Sequence, residues 1–289
     1  MVMNRVVHSA VVCGLLSLAG CAAVPSGAER DEAARQLAES AGLQRFTPVT
    51  TFLPLQGYAR LREDHAALAV YIEGDGHAWI NRYTPSDDPT PVNPVALKLA
   101  ALDDSANVVY LGRPGQYLHT APAGQVDARY WLSARFAPEV IDTYVLAIGR
   151  LASSIGATSV DITGYSGGGA VAALVAARLR RETPALPLTL RTVAGNLDTA
   201  AWVRLLRITP LDGSLNPVDE AAALRAVPQL HLTGLRDRQV PPAVFSSYAD
   251  ALGSQRCLRE IRVDTTHAGP WEEAWRAALK KPPLCTPAP

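Results

Sequence analysis

The chain lacks any excess of charge: 27 Lys and Arg are matched by 27 Asp and Glu. No basic stripe is present, so bulk electrostatics offers no case for nucleic acid or for acidic partners. Internal repeats and long low-complexity segments are also missing, which excludes a solenoid or an array. Cysteine is scarce, with four in 289 residues. Neither Cys257 nor Cys285 has a Cys or His neighbour at zinc-ligand spacing, so no metal site and no cofactor is expected. What is abundant is apolar material, 48% of the chain, enough for a substantial core in one domain.

The amino terminus differs from everything after it. Arg5 precedes an apolar run over residues 6–18 with no charge inside it. The run reads as an export signal, being short of the roughly 20 residues a permanent membrane helix needs. It ends in Leu18-Ala19-Gly20-Cys21, which resembles the lipobox of bacterial lipoproteins at all four positions. The resemblance implies a signal over residues 1–20, a diacylglyceryl group on Cys21, cleavage before it and acylation of the new terminus. Several acyl chains give stable membrane attachment. Ala22 follows where an aspartate would resemble an inner-membrane retention signal, so the implied address is the outer membrane, facing the periplasm. Residues 21–28 are expected to form a tether. With Cys13 removed and Cys21 lipidated, Cys257 and Cys285 are the pair that an oxidising compartment would allow to bridge, if their separation permits it.

The rest of the chain alternates short β-prone runs with longer helical ones. A helix is expected over 29–41, then an antiparallel hairpin between 46 and 63. Strands follow over 68–72, 107–111, 159–163, 188–193, 229–233 and 258–263. Helices are placed at 94–102, 138–155, 168–181, 217–226, 242–252 and 270–279. Prolines stand at several helix starts, as the first turn prefers. This is the pattern of a doubly wound, mostly parallel sheet covered on both faces. The stretches 80–93, 112–135 and 195–216 read as irregular and follow strands, where such a sheet places its ligand-binding loops. No insertion is long enough for a large cap domain.

Within that series stands Gly164-Tyr165-Ser166-Gly167-Gly168, flanked by Ser159-Val160-Asp161-Ile162-Thr163 as a strand and by an apolar helical run. A G-x-S-x-G string alone is weak; its strand–turn–helix setting is what the chemistry needs. A nucleophilic serine on a sharp turn leaves no room for side chains two residues either side, which explains Gly164 and Gly168. The following helix aims unpaired N–H groups at the site, so the Gly167 N–H is a candidate oxyanion donor. Two further residues each follow the end of a later strand: Asp237 in Arg236-Asp237-Arg238, and His267 in Thr265-Thr266-His267-Ala268-Gly269.

Serine, acid and histidine in that order resemble the α/β-hydrolase superfamily across most of the mature chain. The resemblance implies Ser166 as nucleophile, His267 as general base and then acid, and Asp237 as the group that orients the imidazole. Asp198, also after a strand, is the reserve acid. His231 lies within an apolar strand and reads as a core histidine, while His65 and His119 have no acid at matching positions. The segment Ile72-Glu73-Gly74-Asp75-Gly76-His77 resembles the family's His-Gly loop with Glu73 in place of the histidine. By that pattern the second oxyanion donor is the Asp75 N–H, with Gly76 next. An acidic side chain there is electrostatically awkward unless it points elsewhere. Arg113-Pro114-Gly115 resembles a loop that borders the pocket, and Arg113 reads first as a structural arginine.

The activity these parts imply is hydrolysis of a carboxylic ester of a small acyl substrate. Peptidase, thioesterase and acyltransferase chemistry use the same parts, and a catalytically silent envelope binding protein is the alternative of a different class. Trp79, Tyr117, Tyr130, Trp131 and Trp202 fall in or near the loops, as pocket lining or as core anchors. Oligomeric state is left open.

Overall fold

A computed structural model describes residues 24–118, 125–253, 256–281 and 283–285. The signal run, the lipobox with Cys21, and His119 lie outside the described residues. Eight strands form one sheet: β1 Gln44–Phe46, β2 Gly57–Leu61, β3 Leu68–Ile72, β4 Asn107–Leu111, β5 Val160–Tyr165, β6 Leu188–Val193, β7 Gln229–Gly234 and β8 Leu258–Val263. Their order is β1-β2-β4-β3-β5-β6-β7-β8. From β4 to β8 every neighbour is parallel, while β2 runs antiparallel to both β1 and β4.

The central strands are buried along their whole length, as a sheet covered on both faces requires. Alternate residues feed two cores. Leu68, Val70 and Ile72 point to one side, where they meet helices α3 Pro138–Ser154, α4 Gly167–Glu182 and α7 Pro242–Leu252. Ala69 and Tyr71 point to the other, against α1 Gly27–Ser40, α2 Val95–Ala100 and α8 Glu272–Leu279. The period of two along each strand thus divides one apolar run between two faces. Each fully buried Leu or Val contributes about 2 kcal/mol of apolar transfer.

Several elements differ from the sequence reading. The hairpin is present, but its strands are shorter and its first arm begins at Gln44. Helix α1 starts at Gly27, inside the expected tether, because Ser26 and Glu29 form a reciprocal capping box that fixes its first turn. The stretch 195–216 is not irregular throughout. It contains α5 Thr199–Leu206, whose first turn is capped by the Asp198 side chain. A 3₁₀ turn at Ala128–Trp131 sits within the stretch 112–135. The region 217–226 is a 3₁₀ turn, Pro217–Glu220, followed by the single turn of α6 Ala221–Leu224. These pieces are too short for periodicity to register.

Cys257 and Cys285 are bridged, with their Cα atoms 4.0 Å apart. The bond ties the segment after α8 to the start of β8. The chain passes from β3 outward to β4 and then crosses back to β5 on the other side of β3. This reversal opens a crevice at the carboxyl ends of β3 and β5, the position where open α/β sheets bind ligands. The loop after β3 and Ser166 both stand there.

Candidate active site

Ser166 sits between the last residue of β5 and the first of α4, with φ 54° and ψ −123°. That left-handed φ is uncommon for a residue with a side chain and costs about 1–3 kcal/mol unless surrounding structure enforces it. Here the backbone is pinned from both sides. The Ser166 N–H donates to the Val193 carbonyl at 2.9 Å, and the Ser166 carbonyl accepts from Gly169 at 2.9 Å and Asn196 at 3.0 Å. A side chain at Gly164 would collide with the Gly168 carbonyl, and one at Gly168 with the carbonyls that end β3. The glycines are required because the turn folds back onto neighbouring backbone.

The Ser166 Oγ lies 2.9 Å from His267 Nε2, and His267 Nδ1 lies 2.7 Å from Asp237 Oδ2. The three residues come from the ends of β5, β7 and β8, so the parallel register of those strands brings them to one edge of the sheet. Asp237 is buried, and its other oxygen accepts from the N–H groups of Gln239 and Val240, each at 2.8 Å. It is not a surface partner of its arginine neighbours; Arg236 pairs instead with Asp264. The His267 loop is held by its own carbonyl, which accepts from the Tyr165 hydroxyl and from Trp271 Nε1, both at 3.0 Å.

The other candidate histidines, His65 and His231, and the reserve acid fall elsewhere. Asp198 caps α5, accepting from the Ala201 N–H, the Ser247 hydroxyl and the Asn216 amide. Burial opposes its ionisation, but those donors outweigh burial and hold its carboxyl below the usual range. His231 is wholly buried between Thr192 and Gln229, and burial drives its imidazole down to about 3. It is a neutral core residue. His65 packs beside Gly156, its N–H donating to the Ile155 carbonyl after α3.

The loop after β3 packs directly on the Ser166 turn. A side chain at Gly74 would touch Ser166 Cβ, and one at Gly167 would fall on the Asp75 carboxylate. Among the described residues the Asp75 N–H meets no acceptor. The Gly167 N–H lies in the first turn of α4, where a helix offers no internal partner. The awkward charge of Asp75 is answered by two residues from another loop. Arg113 Nη1 stands 3.1 Å from Oδ1 and Arg135 Nη1 2.5 Å from Oδ2. Burial would raise the Asp75 carboxyl, but Arg135 and Arg113 together hold it below the ordinary carboxylate range. Arg113, buried, also donates to the Arg135 carbonyl, so it ties the loop together as a structural arginine.

Glu73 has a different environment. Its carboxyl is buried under the loop and faces the N–H groups of Gly74, Ala96 and Leu97 and the Tyr110 hydroxyl. Burial outweighs these contacts and pushes it up to about 7. Gln116 completes the support, its Nε2 donating to the Gly74 carbonyl at 3.0 Å. Arg135, Gln116 and Trp271 had no motif to mark them; their roles arise from contacts between loops distant in sequence.

Ser166 and His267 open on a cavity of about 1260 Å³. Of the loop aromatics, Trp79 and Trp202 line it. Tyr117, Tyr130 and Trp131 are buried anchors, Trp131 donating from Nε1 to the Ser86 carbonyl.

No family model matches the chain, and no curated protein matches it in sequence. Solved structures match its fold. An α/β serine hydrolase without a lid from Xanthomonas campestris is 14% identical, with 82% of this chain and 92% of that one covered, at a TM-score of 0.51. The esterase Pf2001 from Pyrococcus furiosus is 12% identical, with 83% and 91% covered, at 0.55. The acylaminoacyl peptidase of Pyrococcus horikoshii is 13% identical and is matched at 0.55 over 83% of this chain but 39% of its own. At such identities the likeness concerns architecture: the described residues have the α/β-hydrolase fold in a single domain.

Proposed function

We propose that the chain is a serine hydrolase that cleaves carboxylic esters through an acyl-enzyme intermediate, held by a lipid on Cys21 at the outer membrane and facing the periplasm. The observation that carries the reading is the continuous hydrogen-bonded chain Ser166–His267–Asp237, with separations of 2.9 and 2.7 Å. His267 Nε2 accepts the hydroxyl proton as Ser166 Oγ bonds to the acyl carbon. Asp237, already satisfied on one oxygen by two N–H groups, holds Nδ1 protonated and stabilises the imidazolium. The imidazolium then protonates the departing alcohol, and water attacks the acyl-enzyme by the reverse route.

Charge developing on the carbonyl oxygen would fall to the Gly167 and Asp75 N–H groups, with the Gly76 N–H as the next donor. Losing one such donor typically costs about 10²–10³-fold in turnover. Asp75 can supply its N–H there because Arg113 and Arg135 bind its carboxylate. The lipid anchor rests on Leu18-Ala19-Gly20-Cys21. Among the described residues no helix is long and apolar enough to cross a membrane.

A fluorophosphonate probe tests the assignment. Labelling should occur on the wild type and vanish in Ser166→Ala; undiminished labelling of that variant overturns it. A panel of aryl esters, thioesters and peptides, assayed side by side, should show turnover of the esters above the other classes.

A further inference from the structure

The mouth of the cavity is apolar where a soluble substrate would not need it to be. Trp79, Tyr83, Val92 and Ile208 both line the cavity and stand out in solvent, and Tyr83 is 80% exposed. Ile80, 58% exposed, and Leu205, 50% exposed, flank these residues in sequence and lie outside the lining. These residues come from two parts of the chain, the segment after β3 and the end of α5 with the residues just beyond it.

The first part is a built structure. The Ile80 N–H donates to the Thr84 carbonyl at 2.9 Å, and Asn81 Oδ1 folds inward to accept from Tyr83 and Thr84. The turn therefore holds its apolar side chains outward. Two cations accompany them. Arg82 lies 5.6 Å over the Tyr83 ring, and Arg207 ends α5 with φ 53°. Both line the cavity, and neither has a carboxylate partner among the described residues. Apolar and aromatic side chains bordered by arginines match a bilayer surface: rings and aliphatic groups enter the acyl boundary while guanidinium groups meet anionic headgroups.

The chain's exit places such a surface nearby. Helix α1 begins after Ser26, and one turn later Arg30 donates to the Thr90 carbonyl at 2.5 Å and pairs with Asp88 at 3.3 Å. The start of α1 is thus fastened to the wall that carries Trp79, Tyr83 and Val92. Cys21 is five residues before Ser26, a reach of at most about 18 Å for extended chain. An anchor on Cys21 holds the wall close to the membrane it enters.

We infer that the mouth docks on the anchoring bilayer and that the substrate is a long-chain acyl ester of an anionic membrane lipid. This rests on the hydrolase reading and on the anchor. The acyl–oxygen bond breaks, the acyl group passes to Ser166 Oγ, and the lipid alcohol leaves with the proton from His267. Water then releases a fatty acid.

The test uses the full lipidated chain in vesicles of phosphatidylcholine and phosphatidylglycerol. Ile80→Glu with Leu205→Glu, at positions outside the cavity, should lower hydrolysis of a vesicle-embedded long-chain ester by about tenfold or more. A water-soluble short-chain ester and fluorophosphonate labelling should be unaffected. Arg82→Gln with Arg207→Gln should lose about tenfold only when phosphatidylglycerol is present. Labelling with unchanged long-chain rates in the double Glu variant overturns this inference and leaves the hydrolase reading standing. An unlabelled wild type overturns both, and a Cys21 without added lipid mass removes the anchor on which docking depends.

Discussion

The Asp75 carboxylate occupies the space that a side chain at Gly167 would need. The loop after β3 and the turn that bears Ser166 are therefore fitted to each other through a missing Cβ. The two N–H groups assigned to the developing oxyanion share this contact.

Gly167→Ala should displace the Asp75 carboxylate from Arg113 and Arg135 while leaving α4 intact, since alanine suits a helix. Turnover of an aryl ester is expected to fall about 10²-fold, the usual cost of a misplacement near 1 Å in a catalytic constellation. Steady-state kinetics beside a thermal melt checks this. Unchanged kcat would mean that the loop adjusts freely.

The two acids separate by role. Asp237→Asn keeps the shape but reverses the hydrogen bond to His267 Nδ1, and kcat should drop about 10⁴-fold. Asp198→Asn should leave kcat in place and lower stability by about 1 kcal/mol or less, as weakening of a helix cap does. Similar losses of kcat in both variants would contradict the assignment of Asp237.

Glu73 makes stability depend on pH. In the fold its carboxyl is pushed up from an ordinary 4.5 to about 7 by burial. Between those values the folded chain holds a proton that the unfolded chain has released, so stability falls as pH rises through the window and levels off above it. The wild type should lose about 3 kcal/mol relative to Glu73→Gln between pH 4.5 and 7.5. Urea unfolding of both proteins at the two pH values measures it, and a constant difference would show that folding does not raise the Glu73 carboxyl.

The Cys257–Cys285 bridge closes a loop of 28 residues in sequence separation. Cross-linking a loop of that size stabilises by about 3 kcal/mol through the unfolded chain. Reductant should lower the wild-type melting temperature and leave the Cys257→Ser, Cys285→Ser double variant unmoved. Equal melting temperatures with and without reductant in the wild type would deny the bond any role.

Much of this molecule was legible in its residues because the relevant patterns are local. Runs such as Leu68-Ala69-Val70-Tyr71-Ile72 are β-prone and wholly apolar, and the resulting strand has the expected bounds. Gly164, Ser166 and Gly168 define a sharp turn through steric need, and Asp237 and His267 each follow a strand end, which is a statement about sequence order. Short elements escaped that reading. Helix α5 depends on a cap by Asp198 and on packing against α7, and neither leaves a long periodic signal.

The sequence alone determined the alternation of strand and helix, and with it Ser166, His267 and two candidate acids, Asp237 and Asp198. Tertiary structure decided between Asp237 and Asp198 as the partner of His267. It also paired Asp75 with Arg113 and Arg135, buried Glu73 under α2 and fastened Arg30 to the cavity wall. Each of these is a contact between segments far apart in the chain. Strand order and loop packing set such distances, while spacing along the sequence sets only which residues are available to meet.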